Sequence, residues 1–187
     1  MKIKQLLEEI EKIERGLETN ILTVYNETKT DNTEDENVNN VVDLTNNFSK
    51  TPNIQEVKKY IQTLIDSGEV FDTLNPDWKI DIRGGRRIRD HIAYSSKSKT
   101  LNKAQKSRHN KYVMSIKNLI NNSSYTNKPK DNEKPEEKPN VAVYHYFETN
   151  VRIGDKQYKV ILNAEQYKGE TTVKPQTVHL YDVLEVK

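Results

Sequence analysis

Apolar residues recur at helical spacing in three places along this chain and alternate with polar ones in two others. Between residues 3 and 18, Ile3, Leu6, Leu7, Ile10, Ile13 and Leu17 share one side of a 3.6-residue repeat, which predicts an amphipathic helix. A short apolar run, ILTVY, follows at 21–25. Residues 26–50 are rich in Asn, Asp, Glu and Thr, whose side chains compete with the backbone for hydrogen bonds, and they read as a polar flexible linker. Ile54, Val57, Ile61, Leu64 and Ile65 mark a second helix, opened by Asn53 and Glu56 at capping-box spacing and stopped by Gly68. WKIDI (78–82) and HIAYS (91–95) read as short strands around a Gly84-Gly85 turn. A third helix is predicted over 103–121, burying Tyr112, Val113, Ile116, Leu119 and Ile120. The Pro/Lys/Glu stretch 122–139 reads as a flexible loop.

Alternation is strongest at 140–164, NVAVYHYFETNVRIGDKQYKVILNA. Gly154-Asp155 fits a two-residue turn that pairs Val151 with Tyr158, Thr149 with Val160 and Phe147 with Leu162. One face of this hairpin then carries Phe147, Val151, Ile153, Tyr158, Val160 and Leu162. The other carries Tyr144, Tyr146, Glu148, Arg152, Lys159 and Asn163. Strict alternation puts His145 on the packed side, opposite Ala164, and a single bulge would turn it over. A polar loop at 165–175 leads to TVHLYDVLEV, a third strand with Val178 and Leu180 on one side and Thr177, His179 and Tyr181 on the other. Helices followed by a small antiparallel sheet make an α+β fold. The chain divides into an N-terminal helix and apolar segment (1–25), a linker (26–50) and an α+β domain (51–187).

Composition narrows what such a chain can do. A hydrophobic fraction of 33% and a mean hydropathy of −0.93 predict a modest core among solvated stretches. The absence of cysteine excludes disulfides and thiolate metal sites. No apolar run approaches a bilayer span, and the glutamates of the first twenty residues are unlike a secretory signal, so a soluble cytoplasmic protein with no membrane partner is expected. The net charge of +2 conceals an uneven distribution. Residues 1–76 carry 8 Lys/Arg against 15 Asp/Glu, whereas residues 77–111 carry 11 against 3. The basic middle suits phosphate, and the acidic front either shields it or binds something else.

YHYFETNVRIGDKQYKVILN (144–163) followed by VHLYDVLEVK (178–187), with DHIAYSS (90–96) and the basic helix SRHNKYVMSIKNLI (107–120) upstream, resembles the third large-polyvalent-protein-associated domain. The resemblance covers residues 52–187. It implies a protein of a phage or mobile element acting in a bacterial host, and a barnase/EndoU/colicin/RelE-like fold of the kind found in RNases. It carries over His91, His145 and His179 as candidate positions.

Metal-independent RNA cleavage needs a base for the 2′-OH, an acid for the leaving 5′-oxygen and cations for the phosphate. Histidine suits the proton transfers near neutral pH. The functional reading makes His145 and His179 the proton-transfer pair, Lys159 and Arg152 the phosphorane-stabilising cations, and Thr177 and Tyr181 the orienting groups. Arg83, Arg86, Arg87, Arg89, His91 and Arg108 would gather RNA phosphates. The blander reading keeps His145 in the core, leaves Lys159 and Arg152 as exposed strand residues, and makes RGGRRIR a solvated turn. The histidines show no metal-ligand spacing, and Gly84-Gly85 lacks the rest of a phosphate-binding loop, so no metal or cofactor is expected. Two functions follow from these alternatives. One is an RNA-cleaving toxin or effector, which would call for an immunity protein. The other is a non-catalytic inhibitor of host defence, an anti-CRISPR protein for example, that binds a protein or nucleic-acid complex. The oligomeric state is left open.

Overall fold

A computed structural model describes residues 40–83, 86–94 and 101–186, without the side chains of Arg86 and Arg87. The expected helix over 3–18, the run at 21–25, most of the linker and the Gly84-Gly85 turn lie outside the described residues. The elements run β1 (Val41–Asp43), α1 (Ile54–Ser67), β2 (Val70–Asp72), β3 (Trp78–Asp81), α2 (Arg86–Tyr94), α3 (Lys103–Met114) and α4 (Ile116–Asn121). They continue with β4 (Ser124–Tyr125), β5 (Lys130–Asp131), β6 (Val141–Ile153), β7 (Lys156–Tyr167) and β8 (Gln176–Val186).

These elements correct the expected architecture. The strands form one eight-stranded mixed sheet in the order β1-β6-β7-β8-β3-β2, with β4 and β5 also paired to β6. The sheet is strongly curled, like half a barrel. It is neither small nor purely antiparallel, because β1 runs parallel to β6 and β3 parallel to β8. Helices followed by a small antiparallel sheet, the arrangement expected of a barnase/EndoU/colicin/RelE-like chain, is therefore the wrong description. The cause lies in strands β1 to β3, which are three or four residues long, with β1 and β3 paired far along the chain. WKIDI reads as a strand and supplies β3, but alternation over so few residues does not say which strand it pairs with.

Local chemistry accounts for the main elements. The Asn53 side chain accepts from the Gln55 and Glu56 amides while Glu56 returns to the Asn53 N–H at 2.7 Å, a closed capping box, and Gly68 ends α1 at φ 61. His91–Tyr94, read as part of a strand, belong to helix α2, since Ile88, Ile92 and Ala93 recur at helical spacing and pack into or against the core. The 103–121 helix breaks at Ser115 into α3 and α4. Residues 41–43, read as linker, add β1 to the sheet and bury Val42, with Leu44 next to them. Part of the 122–139 loop folds back as β4 and β5 along β6.

The hairpin keeps the predicted register. Val151 faces Tyr158, Thr149 faces Val160, Phe147 faces Leu162, and His145 faces Ala164. Its inner face buries Phe147, Val151, Val160 and Leu162 against Val57 and Ile61 of α1, Val113 of α3 and Leu119 of α4 within one core cluster. On β8, Leu180 pairs with Ala164 but Asp182 pairs with Asn163, so Tyr181 is an extra residue and the strand bulges there. Before the bulge Val178 and Leu180 face the core, and after it Val183 does. Among the described residues no helix is long and apolar enough to cross a membrane.

Candidate functional site

The strand registers align Tyr144 of β6, Glu165 of β7, His179 of β8 and Asp81 of β3 in one row across the sheet. Side chains alternate along a strand, so this row faces away from the core, which receives the neighbouring row of His145, Ala164 and Leu180. Glu165, His179 and Asp81 are nevertheless buried. Burial of charged groups demands partners, and each has them.

His179 is held between two carboxylates. Its Nδ1 donates to Asp81 Oδ1 and its Nε2 donates to Glu170 Oε1 at 2.6 Å. A carboxylate oxygen on each ring nitrogen favours the doubly protonated imidazolium form of the ring. Burial pulls its pKa down, but the bonds to Asp81 and Glu170 and their negative charges outweigh that and raise it. The second Asp81 oxygen accepts from Arg83 Nε at 2.9 Å and from an Arg83 terminal nitrogen at 2.9 Å. Tyr167 stacks on the His179 ring, with centroids 4.9 Å apart and planes 18° from parallel. Asp81 and Glu170 sit on opposite ring nitrogens and cannot close on one ion. Among the described residues no group of three or more His, Asp or Glu is arranged to hold a metal.

A second cluster adjoins the first through Glu165. Lys138 donates to Glu165 and lies 3.2 Å from the centroid of the Tyr181 ring. Burial opposes the ammonium charge, yet the bonds to Glu165 and Tyr181 prevail and raise its pKa. His91 of α2 stacks on Tyr181 at 4.1 Å, and its Nε2 lies 3.7 Å from Asp182 Oδ2. The β8 bulge makes this possible, because it brings two consecutive residues, Tyr181 and Asp182, to bear on one histidine. Lys138 is placed by Asn132, whose side-chain amide donates to the carbonyls of Lys138 at 2.8 Å and Val141 at 3.1 Å. His91, Lys138, Glu165, Tyr167 and Tyr181 line a cleft of about 230 Å³.

Four of the sequence candidates meet here: His179, Tyr181, His91 and Arg83. The rest do not. His145 is buried on the core side, where Tyr125 donates to its Nδ1 at 3.1 Å and its Nε2 donates to Gln166 at 3.0 Å. Burial lowers its pKa, more than the Gln166 bond raises it. Lys159 pairs with Glu148 at 2.9 Å, and Arg152 makes two bonds to Asp43 at 3.0 and 2.6 Å. Both lie nearer the Gly154-Asp155 turn. Thr177 pairs in register with Lys79, two residues from His179. Arg89 contacts Gln62 of α1 and its neighbour Asp90. Arg108 grips Glu185 of β8 with two bonds of 2.7 and 2.6 Å. The side chains of Arg86 and Arg87 lie outside the described residues.

Sequence reasoning missed Asp81, Glu165, Glu170, Tyr167 and Lys138. A search for cations to hold phosphate passes over carboxylates, and Lys138 sits in a stretch whose composition predicts no packing. Their one sequence signal was polarity at strand positions: Asp81 within WKIDI and Glu165 at the end of the hairpin.

Comparison with known proteins bears on the family alone. Neither the curated proteins nor the solved structures include a match to this chain. The family described as large polyvalent protein-associated domain 3 matches residues 52–173. That stretch takes in α1 to α4, the β6–β7 hairpin and most of the polar row, and it is more than half of the 187 residues: the chain belongs to the large polyvalent protein-associated domain 3 family.

Proposed function

We propose that this domain binds RNA at the cleft beside α2 and cleaves it without a metal ion, as a toxin or effector of a phage or mobile element. The observation that carries this reading is a cleft lined by His91 and Lys138 whose wall residues Tyr167 and Glu165 adjoin His179, itself tied through Asp81 to Arg83. His179 carries the extra proton that a general acid must give to the leaving 5′-oxygen. His91, on the cleft wall with Asp182 3.7 Å from its Nε2, takes the proton from the 2′-OH. Lys138 and Arg83 supply charge to the phosphorane. The basic stretch 77–111, with 11 Lys/Arg against 3 Asp/Glu, brings Arg83 and His91 to the site and favours an anionic ligand.

A specific observation favours a second reading, a non-catalytic inhibitor of host defence. Lys138, Arg83 and His179 each already contact an internal carboxylate, as a purely structural network requires. The experiment incubates the protein with total RNA in the presence of a chelator, alongside His91→Ala, Lys138→Ala and Lys159→Ala. Cleavage by the parent and by Lys159→Ala, lost in the other two, is the expected result. Intact RNA with the parent overturns the nuclease. RNA retained in a gel shift without cleavage supports the binding protein instead.

A further inference from the structure

Glu170 occupies a place shaped for an anion. Its Oε1 receives His179 Nε2 at 2.6 Å and lies 3.7 Å from a terminal nitrogen of Arg83. Its Oε2 accepts the Tyr167 backbone N–H at 2.8 Å. Two cations and one amide therefore converge on a single carboxylate. Asp81 fixes both cations from behind, taking His179 Nδ1 on one oxygen and Arg83 on the other. The His179 and Asp81 side chains are 2% and 7% exposed, whereas that of Glu170 is 25% exposed. His179 and Asp81 are thus sealed into the sheet, Arg83 closes the frame from the exposed side at 60% exposure, and the Glu170 carboxylate sits at the mouth. Glu170 comes from a turn in which its N–H reaches the Tyr167 carbonyl at 3.3 Å and Gly169 adopts φ 82, a conformation that glycine takes without strain. A change of backbone at that turn moves the carboxylate without disturbing the frame.

We infer that Glu170 stands in for a phosphate group, and that a phosphomonoester or phosphodiester displaces it to take the same three donors. An imidazolium, a guanidinium and a backbone N–H are the donors that bind phosphate oxygens elsewhere. The inference deepens the reading of the site as a ribonuclease, since it names the subsite for the scissile phosphate. Anion binding itself does not depend on cleavage.

Calorimetric titration of the full chain with inorganic phosphate tests this, using the parent, Glu170→Gln, Glu170→Ala and Glu170→Ala with Arg83→Ala. Removing the internal competitor is expected to tighten phosphate binding roughly tenfold or more in Glu170→Ala. Glu170→Gln keeps the shape, loses the charge and is expected to show a smaller gain. The double variant is expected to lose the gain. Equal binding by the parent and both single variants overturns the inference, as does a gain that survives the loss of Arg83. RNA cleavage by the parent without the phosphate gain removes the phosphate subsite and spares the nuclease. The phosphate gain without cleavage by any form does the reverse.

Discussion

His145 and His179 sit in adjacent rows of one sheet and face opposite sides of it. Their titrations oppose one another. Burial depresses the pKa of His145, so its unfolded form binds a proton first; that contribution to stability is present above pH 6.5 and is lost as pH falls through the folded value. The bonds from Asp81 and Glu170 outweigh burial and raise the pKa of His179, so its contribution is present below pH 6.5 and is lost as pH rises through the folded value. Urea unfolding across pH is expected to show both losses. His145→Gln should flatten the acid-side loss below pH 6.5, and His179→Gln the alkaline-side one. An unchanged pH profile in both variants would show that these rings do not govern it.

Arg108 and Glu185 tie α3 to β8. The pair is joined by the Tyr112 hydroxyl at 2.8 Å and by the Tyr158 ring, 4.5 Å from the guanidinium. Arg108→Ala leaves Glu185 mostly buried with one partner fewer and is expected to cost about 2–3 kcal/mol in chemical unfolding. Arg108→Lys should recover little of it, because an ammonium cannot reproduce the two-point grip. RNA cleavage per folded molecule is expected to be unchanged.

Arg152 and Lys159 are already engaged by Asp43 and Glu148 at exposed positions. Alanine at either is expected to alter stability by about 1 kcal/mol or less and to leave RNA cleavage at the parent rate. A large loss of activity in either variant would move the reacting centre towards the hairpin turn.

Asn132 acts on the cleft through the backbone it holds. With Asn132→Ala, the carbonyls of Lys138 and Val141 lose their side-chain donor. Unfolding is expected to shift by about 1 kcal/mol. Weakened RNA binding should be the larger effect, seen as a raised KM with kcat less changed. A drop in stability with KM intact would make this loop a support only.

The hairpin register was readable because two long strands alternate without interruption from Val143 to Gln166 around a Gly-Asp turn, which fixes which residues meet. The start of α1 was readable for the same reason: Asn53 and Glu56 satisfy local donors whatever surrounds them. The sheet as a whole was not. β1 and β3 exist through parallel pairing with β6 and β8, and nothing within VVD or WKID names a partner so far away. His145 was placed correctly by alternation, yet the demand for a second histidine drew it into the proposed chemistry. His91, the histidine that lines the cleft, lies on a helix whose last residues read as a strand. Asp81 and Glu170 escaped notice because their importance comes from what they touch, and contact across the sheet is a property of the register.

Tyr181 is the residue of β8 that no partner on β7 counts. Its presence resets the phase of the strand, so that Asp182 meets Asn163 while Val183 meets Leu162. Deleting Tyr181 would close the bulge with Asp182 still opposite Asn163 and Val183 still opposite Leu162, and would take away the ring that His91 and Lys138 contact. The additional length at this point serves the cleft, and the ladder beneath it would close without it.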